Sequence, residues 1–393
     1  MKTLVEIMQK ESLRVIGLMS GTSLDGMDAA LVRLDGHGTA TKAECLAFAS
    51  VPYTSEERSE ILELALGAAG GSKRLALMNF WMGEKALEAC RAVCSSAGIS
   101  ADEIDLVGSH GQTLYHIPVP EEYLGRSLMA TYQTGEASVI SEGMGCPVVS
   151  DFRVRDMAAG GQAAPLVPYS EFLLYRREDK NVGLQNIGGI GNLTVLPKAC
   201  TIDQVYAFDT GPGNMVIDRL VVKLTEGRMR WDENGAIAAK GSIDTSLLRW
   251  MLDDPYLEKR PPKTTGREMY GDEYIDRLLE KADSCSVTME NIIATATRFT
   301  VECIATAWER FCPEKPELLI VGGGGAHNLC MMNMLRERLP IPVMTNEDLG
   351  LNGDAKEAVA FAVLANECVH GGCNNVISVT GAKHPVVMGK ITQ

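Results

Sequence analysis

Residues 15–34, VIGLMSGTSLDGMDAALVRL, decide the architecture of this chain because they join two apolar runs through a polar turn. The first run ends at Met19, residues 20–26 form the turn, and the second run covers residues 29–34. This pattern predicts a β-hairpin whose turn is longer and more polar than chain reversal requires. Glycines let the backbone approach a ligand and hydroxyls supply donors, so the turn is either a phosphate loop or an ordinary polar turn.

Asp25 lies inside this turn. A carboxylate repels bare phosphate, so its presence beside a phosphate chain predicts an intervening Mg²⁺ or an ordered water. Asp25 is therefore the candidate metal residue, holding Mg²⁺ through a water molecule.

The amino-acid composition limits the classes of protein to which this chain can belong. The 393 residues suffice for two domains, and 46% hydrophobic with 22% charged residues is typical of a globular protein. A net charge of −14 argues against a nucleic-acid partner. The sequence also shows neither a signal peptide nor an apolar run long enough for a membrane partner, so we expect a cytoplasmic protein. The 11 cysteines include no CxxC pair and are expected to be reduced.

Strands and helices alternate along the chain, which predicts a mixed α/β architecture. Near residue 181 the pattern of the first hairpin is repeated. An apolar run covers 182–187, a glycine turn covers 188–191, and a second apolar run covers 193–196. The repetition predicts duplicated domains, 1–180 and 181–393, that face one cleft. An alanine-rich helix at about 354–369 is expected to pack back on the first domain.

Glycine turns follow predicted strands at 21–26, 188–191, 211–213 and 322–325. The chain contains no GxxxxGK[ST] phosphate loop, and no GxGxxG opens a helix with an acidic residue at the spacing of a dinucleotide site. Several glycine loops converging from two domains favour a phosphotransferase that wraps its nucleotide.

Two carboxylates are candidates for chemistry. Asp209 ends a predicted strand before a glycine turn, and it is either a general base or a cap for the helix that begins near Met215. Glu357 stands three residues after Asp354, a spacing that fits a capping box as well as ligand contact.

A histidine and an arginine are candidates for substrate binding. His110 ends a predicted strand and either contacts substrate or is structural. Arg153 either clamps a carboxylate or forms a salt bridge with Asp151 or Asp156. The other candidate histidines are expected to be structural or solvated, namely His37, His116, His370 and His384.

Seven strings, in order along nearly the whole chain, resemble the anhydro-N-acetylmuramic acid kinase family of the actin/hexokinase superfamily. They are GLMSGTSLDGMDAA from Gly17, SHGQT from Ser109, DFRVRDMAAGGQAAPLVP from Asp151, QNIGGIGNLT from Gln185, FDTGPGN from Phe208, GGGGAHN from Gly322 and NGDAKEAVAFA from Asn352. The resemblance implies two ribonuclease-H-like, actin-like ATPase domains around a central nucleotide and sugar cleft.

The resemblance also implies ATP and Mg²⁺ as cofactors and 1,6-anhydro-N-acetylmuramic acid as substrate, which is hydrolytically opened and phosphorylated on O6. Asp209 would be the general base and Glu357 would position sugar or water. The implied ATP-binding residues are Gly21, Thr22, Ser23, Leu24, Asp25, Gly26, Met27, Asp28, Gly188, Gly189, Gly211, Gly213, Asn214, Gly323 and Gly324. The implied sugar-binding residues are His110, Gln112, Thr113, Gln133, Asp151 and Arg153.

The chain departs from the family pattern at four positions: Gly191 replaces alanine, Ala163 replaces glycine, and Thr134 and Glu136 replace isoleucine and aspartate. Two alternative functions remain at this stage. One is another sugar or acid kinase of the same fold, and the other is a non-catalytic, ATP-gated binding protein. A homodimer is left open.

Overall fold

The structure is a computed structural model that describes residues 2–21, 24–67, 71–261, 263, 265–350 and 352–393. Its strands are β1 Ser12–Ser20, β2 Gly26–Asp35, β3 Lys42–Pro52, β4 Leu106–Tyr123, β5 Arg126–Thr134, β6 Val148–Ser150, β7 Val182–Ile187, β8 Ile190–Leu196, β9 Tyr206–Pro212, β10 Leu318–Gly322, β11 Val343–Thr345 and β12 Lys390–Thr392. Its α-helices are α1 Leu4–Met8, α2 Ser55–Ala65, α3 Gly71–Ala97, α4 Ala137–Met144, α5 Phe152–Ala158, α6 Val167–Tyr175, α7 Asn214–Leu224, α8 Thr245–Leu252, α9 Pro255–Glu258, α10 Arg267–Tyr270, α11 Asp272–Ser284, α12 Met289–Phe311, α13 Leu329–Arg338, α14 Lys356–Val369 and α15 Ile377–Thr380.

The chain divides into two compact units. The first contains Met1–Leu174 and Asp354–Gln393, and the second contains Tyr175–Gly353. Sequence reasoning placed the boundary at 180/181 and expected the helix at about 354–369 to pack back on the first domain. Residues 354–393 as a whole belong with the first unit, because α14 packs against β1 and β4 and β12 pairs with β6.

The first unit is built on a seven-stranded sheet in the order β12-β6-β4-β1-β2-β3, with β5 paired to β4 beside this path. Strands β1, β2 and β3 form an antiparallel meander, as the hairpin pattern predicted. Strand β4 is parallel to β1, and β6 is parallel to β4. The edge strand β12 is antiparallel to β6.

The second unit repeats this plan in a five-stranded sheet with the order β11-β10-β7-β8-β9. Here β7, β8 and β9 form the antiparallel meander, while β10 and β11 are the parallel strands. Counting strands within the unit, the second sheet reads 3-2-1-4-5, the order of a ribonuclease-H-like domain. The first sheet has the same order once β5, which pairs with β4 beside the path, is left out of the count, and it carries β12 as an additional edge strand. The prediction of a duplicated α/β architecture is therefore confirmed.

Helices cover both faces of the first sheet, so its central strands are buried on both sides. Ile16 and Leu18 pack with the core that α3 supplies. Gly17, between them, points to the opposite face, where a Cβ would lie 1.8 Å from the Ala358 carbonyl oxygen of α14. A Cβ on Gly108 of β4 would likewise lie 2.2 Å from a helix carbonyl oxygen, that of Phe361. The two glycines form a groove that brings the α14 backbone against the sheet.

The second unit is packed around α12, whose Ile293, Phe299 and Ile304 are all buried. Helices α7, α8, α11 and α13 contribute to the same core. Tyr256 and Tyr270 are fully buried beside it with their rings edge to face. This core supports β9, which carries Asp209.

One strand differs from the expected local structure. Strand β4 does not end before His110 but continues to Tyr123, and it pairs with β5. Helix α5 begins directly after Asp151. In the described part of the chain no helix combines the length and apolarity needed to span a bilayer.

Candidate active site

The first hairpin is fastened to the neighbouring strands by Ser20, which is buried at the end of β1. Its hydroxyl donates to Gln112 Oε1 at 2.6 Å and lies 2.9 Å from the Tyr53 hydroxyl. Gln112 is itself 1% exposed and donates to the Thr113 carbonyl oxygen. The side chain of Gln112, implied to contact sugar, therefore links β4 to the hairpin in this structure.

The turn of this hairpin has the geometry of a loop that must stay close to β3. Leu24 adopts a left-handed conformation with φ of 57°, and its N–H donates to the Gly21 carbonyl oxygen. A Cβ on Gly26 would lie 2.5 Å from the Val51 carbonyl oxygen, so only glycine fits there. The two hydroxyl residues implied for ATP binding, Thr22 and Ser23, lie outside the described residues.

Four carboxylates lie near the start of β2, where this turn ends: Asp25, Asp28, Asp354 and Glu357. Burial raises the pKa of Asp28, and the negative charges of Asp354 and Asp25 raise it further. Burial also raises the pKa of Glu357, to which Asp28 adds repulsion. The neighbouring Met27 is fully buried in the core and presents no side chain to a ligand.

This group of four carboxylates is the part of the first unit whose charge suits a cation. Asp25 is largely exposed and pairs with Arg58 at 3.7 Å, so it can turn towards a hydrated ion without breaking a buried bond. Across the described residues, no three His, Cys, Asp or Glu side chains converge to hold a metal by themselves. Mg²⁺ commonly takes one or two carboxylates and completes its shell with water and substrate phosphates, and the donor set here suits that arrangement.

Glu357 does not belong to a capping box. Helix α14 begins at Lys356, and its N-cap is Ala355, which makes no side-chain cap. The capping-box interpretation of Asp354 and Glu357 is therefore wrong, because the helix starts one residue later than that motif requires. Glu357 lies in the first helical turn, close enough to Asp28 for the two carboxylates to repel each other.

His110 and Arg153 form a buried pair. His110 Nδ1 lies 2.8 Å from the Gly111 carbonyl oxygen, and Arg153 Nε donates to His110 Nε2 at 3.0 Å. The ring must therefore carry its proton on Nδ1, and burial with the Arg153 charge lowers the pKa of His110 to about 3. Arg153 also donates to the Ala163 carbonyl oxygen, so its expected salt bridge with Asp151 or Asp156 is wrong.

The other implied sugar contacts are arranged differently. Gln133 donates through Nε2 to Thr113 and Thr131, while its Oε1 is buried with no partner among the described residues. Asp151 instead accepts from Lys390 of β12 at 2.8 Å. Gln133 thus offers a free acceptor, whereas the Asp151 carboxylate is already paired.

Two of the four departures from the family pattern, Glu136 and Gly191, have a local explanation, and nothing in the structure explains the alanine at position 163. Glu136 is the N-cap of α4 and accepts from the Ser138 N–H at 3.0 Å. Ala163 has a φ of 57°, the left-handed region that glycine adopts freely. A Cβ on Gly191 would lie 2.6 Å from Thr210 Oγ1, so this chain requires glycine there.

Asp209 is held in place by the second unit. Its Oδ2 accepts from the Thr265 N–H at 3.0 Å, and its own N–H donates to the Lys263 carbonyl oxygen at 3.2 Å. Burial raises the pKa of Asp209, while the Thr265 N–H and the Lys263 charge lower it. Helix α7 has Gly213 as its N-cap without a side-chain cap, so the interpretation of Asp209 as that cap is wrong.

The glycine turns of the second unit are joined to each other. The Gly213 and Asn214 N–H groups donate to the Gly189 and Gly188 carbonyl oxygens at 2.9 and 2.7 Å. A Cβ on Gly213 would lie 2.3 Å from the Gly188 carbonyl oxygen. These amides, which the resemblance implies for ATP binding, are therefore already used within the protein. Gly211 has a φ of 146° and lies against Cys303.

A cavity of about 340 Å³ opens beside Gly324 in the second unit. Its lining residues are Asn214, Ile217, Asp218, Trp231, Asp232, Glu233, Asn234, Gly324, His327 and Asn328. Gly323, with φ of 78°, packs against Ile187 and Asn186 and so leaves Gly324 at the cavity edge. Its volume and its mixture of an aromatic, an aliphatic and several polar side chains are typical of a small-molecule site.

Sequence reasoning missed four residues of these sites: Asp218, Trp231, Lys263 and Thr265. Asp218 follows Asn214 by four positions on α7, so helical spacing could have placed both on one face. Burial and the Asp232 charge raise the pKa of Asp218 to about 6. Trp231, Lys263 and Thr265 come from irregular segments without a motif, and only the folded chain brings them to the site.

Comparison with known proteins gives one consistent family. The sequence model of the anhydro-N-acetylmuramic acid kinases matches residues 13–393. The chain is 48% identical over 395 residues to the anhydro-N-acetylmuramic acid kinase of Caldanaerobacter subterraneus subsp. tengcongensis, covering 100% of both chains. It is 43% identical to the enzymes of that name from Clostridioides difficile and Bacillus cereus, over 96% of this chain and 97% and 98% of those chains.

Proposed function

The chain belongs to the anhydro-N-acetylmuramic acid kinase family, and on that premise we propose that it is an ATP-dependent kinase of cell-wall sugar recycling. It opens the 1,6-anhydro bridge of 1,6-anhydro-N-acetylmuramic acid with water and phosphorylates O6. The products are N-acetylmuramic acid 6-phosphate and ADP. The observation that carries the mechanism is the fixed carboxylate of Asp209.

The substrate dictates what the protein must supply. In a 1,6-anhydro sugar O6 is bonded to the anomeric carbon, so there is no free hydroxyl at position 6 to accept phosphate. The C1–O6 bond must break before or while O6 attacks. The minimum equipment is therefore a base that activates water at C1 and groups that stabilise the γ-phosphoryl group.

Asp209 meets the requirement for a base. Its Oδ2 is fixed by the Thr265 N–H, while no described residue donates to Oδ1. The free oxygen takes a proton from water as the water oxygen bonds to C1. The C1–O6 electron pair moves to O6, O6 bonds to the γ-phosphorus, and the bond to ADP breaks. One water and one ATP are consumed for each sugar phosphate and ADP formed.

The first unit supplies the binding groups for the sugar in this proposal. Arg153 uses Nε and Nη1 for His110 and Ala163, and it keeps Nη2 for an anionic or carbonyl group of the substrate. Gln133 Oε1 is a buried acceptor that a substrate N–H or O–H can satisfy. Because an orphaned buried acceptor costs about 1–3 kcal/mol, a donor from the sugar would be favoured at this position.

In this proposal the cavity beside Gly324 takes the base of ATP, and the first hairpin takes its phosphates. Bound Mg²⁺ would neutralise charge on the β- and γ-phosphates, with Asp25 holding it through water and Asp28 nearby. The raised pKa of Asp28 indicates a carboxylate that would gain from a neighbouring positive charge. ATP as the substrate places the reaction in the cytoplasm, and we propose a homodimer as the assembly, to be checked by light scattering.

The test is an ADP-release assay coupled to mass spectrometry in H₂¹⁸O. With 1,6-anhydro-N-acetylmuramic acid and ATP, we expect ADP release and one ¹⁸O at the anomeric position of the sugar phosphate. Product incubated in H₂¹⁸O without enzyme corrects for spontaneous exchange at that carbon. Asp253→Asn, which removes an exposed carboxylate of the same unit, is the matched control for Asp209→Asn.

The rival functions give different results. A kinase that acts on a free hydroxyl would release ADP with an ordinary sugar and leave ¹⁸O out of the product. An ATP-gated binding protein would show no turnover of either sugar. Either result would reject the proposed reaction.

A further inference from the structure

Gln133 and three neighbours form a chain of hydrogen-bonded side chains on the two-stranded ribbon of β4 and β5. Gln133 Nε2 donates to Thr131 Oγ1 at 2.7 Å and to Thr113 Oγ1 at 3.2 Å. Thr131 Oγ1 in turn lies 3.0 Å from His116 Nδ1. The other end of the amide, Gln133 Oε1, is buried and has no hydrogen-bond partner among the described residues. The chain therefore ends in an acceptor that the protein itself leaves unsatisfied.

The chain determines which end of the Gln133 amide is left without a partner. Burial and the Arg153 charge lower the pKa of His116, so the ring is neutral and its Nδ1 can accept the Thr131 proton. A threonine hydroxyl has one proton, and a proton donated to His116 cannot also be donated to Gln133. Thr131 therefore accepts from Nε2, and Oε1 is the end that remains.

This acceptor lies beside residues that bind the sugar in the proposed function. Gln133 of β5 pairs in register with Thr113 of β4. A Cβ added to Gly111 would lie 3.6 Å from the Gln133 Cβ. Gly111 directly follows His110, whose Nε2 accepts from Arg153. Gln133 therefore lies beside the part of β4 that carries the buried histidine and arginine pair.

The chemistry of the proposed substrate narrows what this acceptor can bind. The sugar 1,6-anhydro-N-acetylmuramic acid has two kinds of neutral donor, the hydroxyl at C4 and the acetamido N–H at C2. A hydroxyl donates or accepts, so either end of a glutamine amide would satisfy it. An amide N–H only donates, so it requires the acceptor end. Side chains that hold the Gln133 amide in one orientation are therefore needed to recognise the acetamido group but not the hydroxyl.

We infer that Gln133 Oε1 accepts from the acetamido N–H of the sugar, and that Thr131 is a positioning residue that keeps the glutamine amide in this orientation. The inference rests on the function proposed above and names the substrate group that these residues select. A buried acceptor without a donor is unfavourable, so a sugar that lacks this N–H should be a poorer substrate. Selection depends on Gln133 directly and on Thr131 through it.

The test uses 1,6-anhydro-N-acetylmuramic acid and the analogue in which an ester oxygen replaces the acetamido nitrogen. The analogue keeps the acetyl carbonyl but has no N–H. For each protein, ADP release gives kcat/KM for both sugars, and the ratio of the two values is the measured quantity. Comparing this ratio between proteins cancels the intrinsic difference in reactivity of the sugars. We expect Gln133→Met to lower the preference for the N-acetyl sugar about 10- to 100-fold relative to wild type.

Substitutions of Thr131 test the positioning role. Thr131→Val keeps the branched shape without the hydroxyl, and it should lower the ratio about three- to tenfold. Thr131→Ser keeps the hydroxyl and should keep the wild-type ratio. Ser127→Ala, which removes an exposed hydroxyl from the same strand, is the matched control and should also keep the ratio. A Tm within error of wild type shows that each variant is folded.

The outcomes separate the inference from the proposed function. If the wild type turns over the N-acetyl sugar and Gln133→Met leaves the ratio unchanged, the inference is overturned while the function stands. A ratio that falls in Gln133→Met but not in Thr131→Val overturns the positioning role. If Gln133→Met does not fold, Thr131→Val decides alone, and an unchanged ratio overturns the inference. Wild-type protein that turns over neither sugar would instead overturn the proposed function.

Discussion

The two units carry the same strand order but use their first hairpin differently. In the first unit the turn between β1 and β2 is long and carries Asp25, with Asp28 at its foot. In the second unit the turn between β7 and β8 consists of Gly188 and Gly189, and its carbonyl oxygens accept the first N–H groups of α7. The second turn is closed by its own chain, whereas the first turn is the one that we propose binds a ligand.

The difference shows how a duplicated scaffold can divide a reaction. Closing the second turn fixes the end of β9 and the start of α7 against each other, which gives Asp209 a rigid support. In the proposed function, the first turn supplies backbone groups and carboxylates for phosphate and Mg²⁺. The predictions below test this division, from the largest expected effect to the smallest.

The largest effect is expected at Asp209, the general base in the proposed function. Asp209→Asn keeps the shape and can still accept from the Thr265 N–H, but it cannot take a proton from water. Turnover should fall about 10²- to 10⁴-fold with little change in Tm or in the KM for ATP. Steady-state kinetics and thermal unfolding measure both quantities. Wild-type turnover in this variant would show that the Asp209 carboxylate of the second unit is not the base.

The second prediction compares how each sheet is packed. Gly17→Ala forces a Cβ against the backbone of α14, whereas Gly183→Ala on β7 meets the side chains of Leu319 and Pro316 at 2.9 Å or more. We expect a loss of about 3 kcal/mol of unfolding free energy for Gly17→Ala and about 1 kcal/mol for Gly183→Ala. Denaturant unfolding of the two variants, side by side, measures the difference. Equal losses would contradict the distinction between backbone and side-chain contact.

The third prediction concerns the pH dependence that Asp218 gives to the second unit. Its pKa is raised from 3.8 to about 6, so the folded state binds more protons between these values and loses stability as pH rises through this window. About two pKa units correspond to about 3 kcal/mol, which solvent screening at this partly exposed site reduces to about 1–2 kcal/mol. Asp218→Asn should therefore stabilise the protein by that amount at pH 8 and hardly at all at pH 4.

The same variant should bind ATP more weakly if the cavity is the nucleotide site. Asp218→Asn would then raise both the Tm at pH 8 and the KM for ATP. Asp283→Asn, which alters an exposed carboxylate, should change neither. A gain in stability with an unchanged KM would place the nucleotide elsewhere.

The smallest effect on stability is expected at the open turn. Asp25 and Arg58 form an exposed pair at 3.7 Å, and such pairs contribute about 0–1 kcal/mol. Asp25→Asn should leave Tm within error and raise the Mg²⁺ concentration needed for half-maximal turnover. Arg58→Gln, which breaks the same pair from the other side, should not raise it. The same Mg²⁺ requirement in both variants would exclude Asp25 as the residue that holds the ion.

The sequence predicted most of the scaffold because its signals are local. Apolar runs on either side of glycine turns predicted β1, β2, β7 and β8, and an alanine-rich stretch predicted α14 within a few residues. The ribbon of β4 and β5 was missed because much of it is exposed and polar, as at Glu121 and Glu122. Its strands are stabilised by pairing with each other, which no single stretch reveals.

The site was predictable to the extent that motifs carry it. Asp209 and Glu357 follow from strings of the family, and the structure removes the capping interpretations of both. The burial that shifts the pKa values of Lys263 and Asp218 depends on which distant segments fold over them. The partners of Arg153 show the same limit: nearby acids suggested a salt bridge, whereas folding places a histidine and a carbonyl oxygen beside it.

The division of the first unit into two pieces of sequence has a consequence for biosynthesis. Residues 175–353 leave the ribosome before α14 and β12 exist, so a whole neighbouring unit can fold while the glycine groove of β1 and β4 is still uncovered. During that interval the strand β6 also lacks its edge partner, and unpaired edges invite contact with other chains. The first unit is therefore begun before the second unit and completed after it, when residues 354–393 are synthesised.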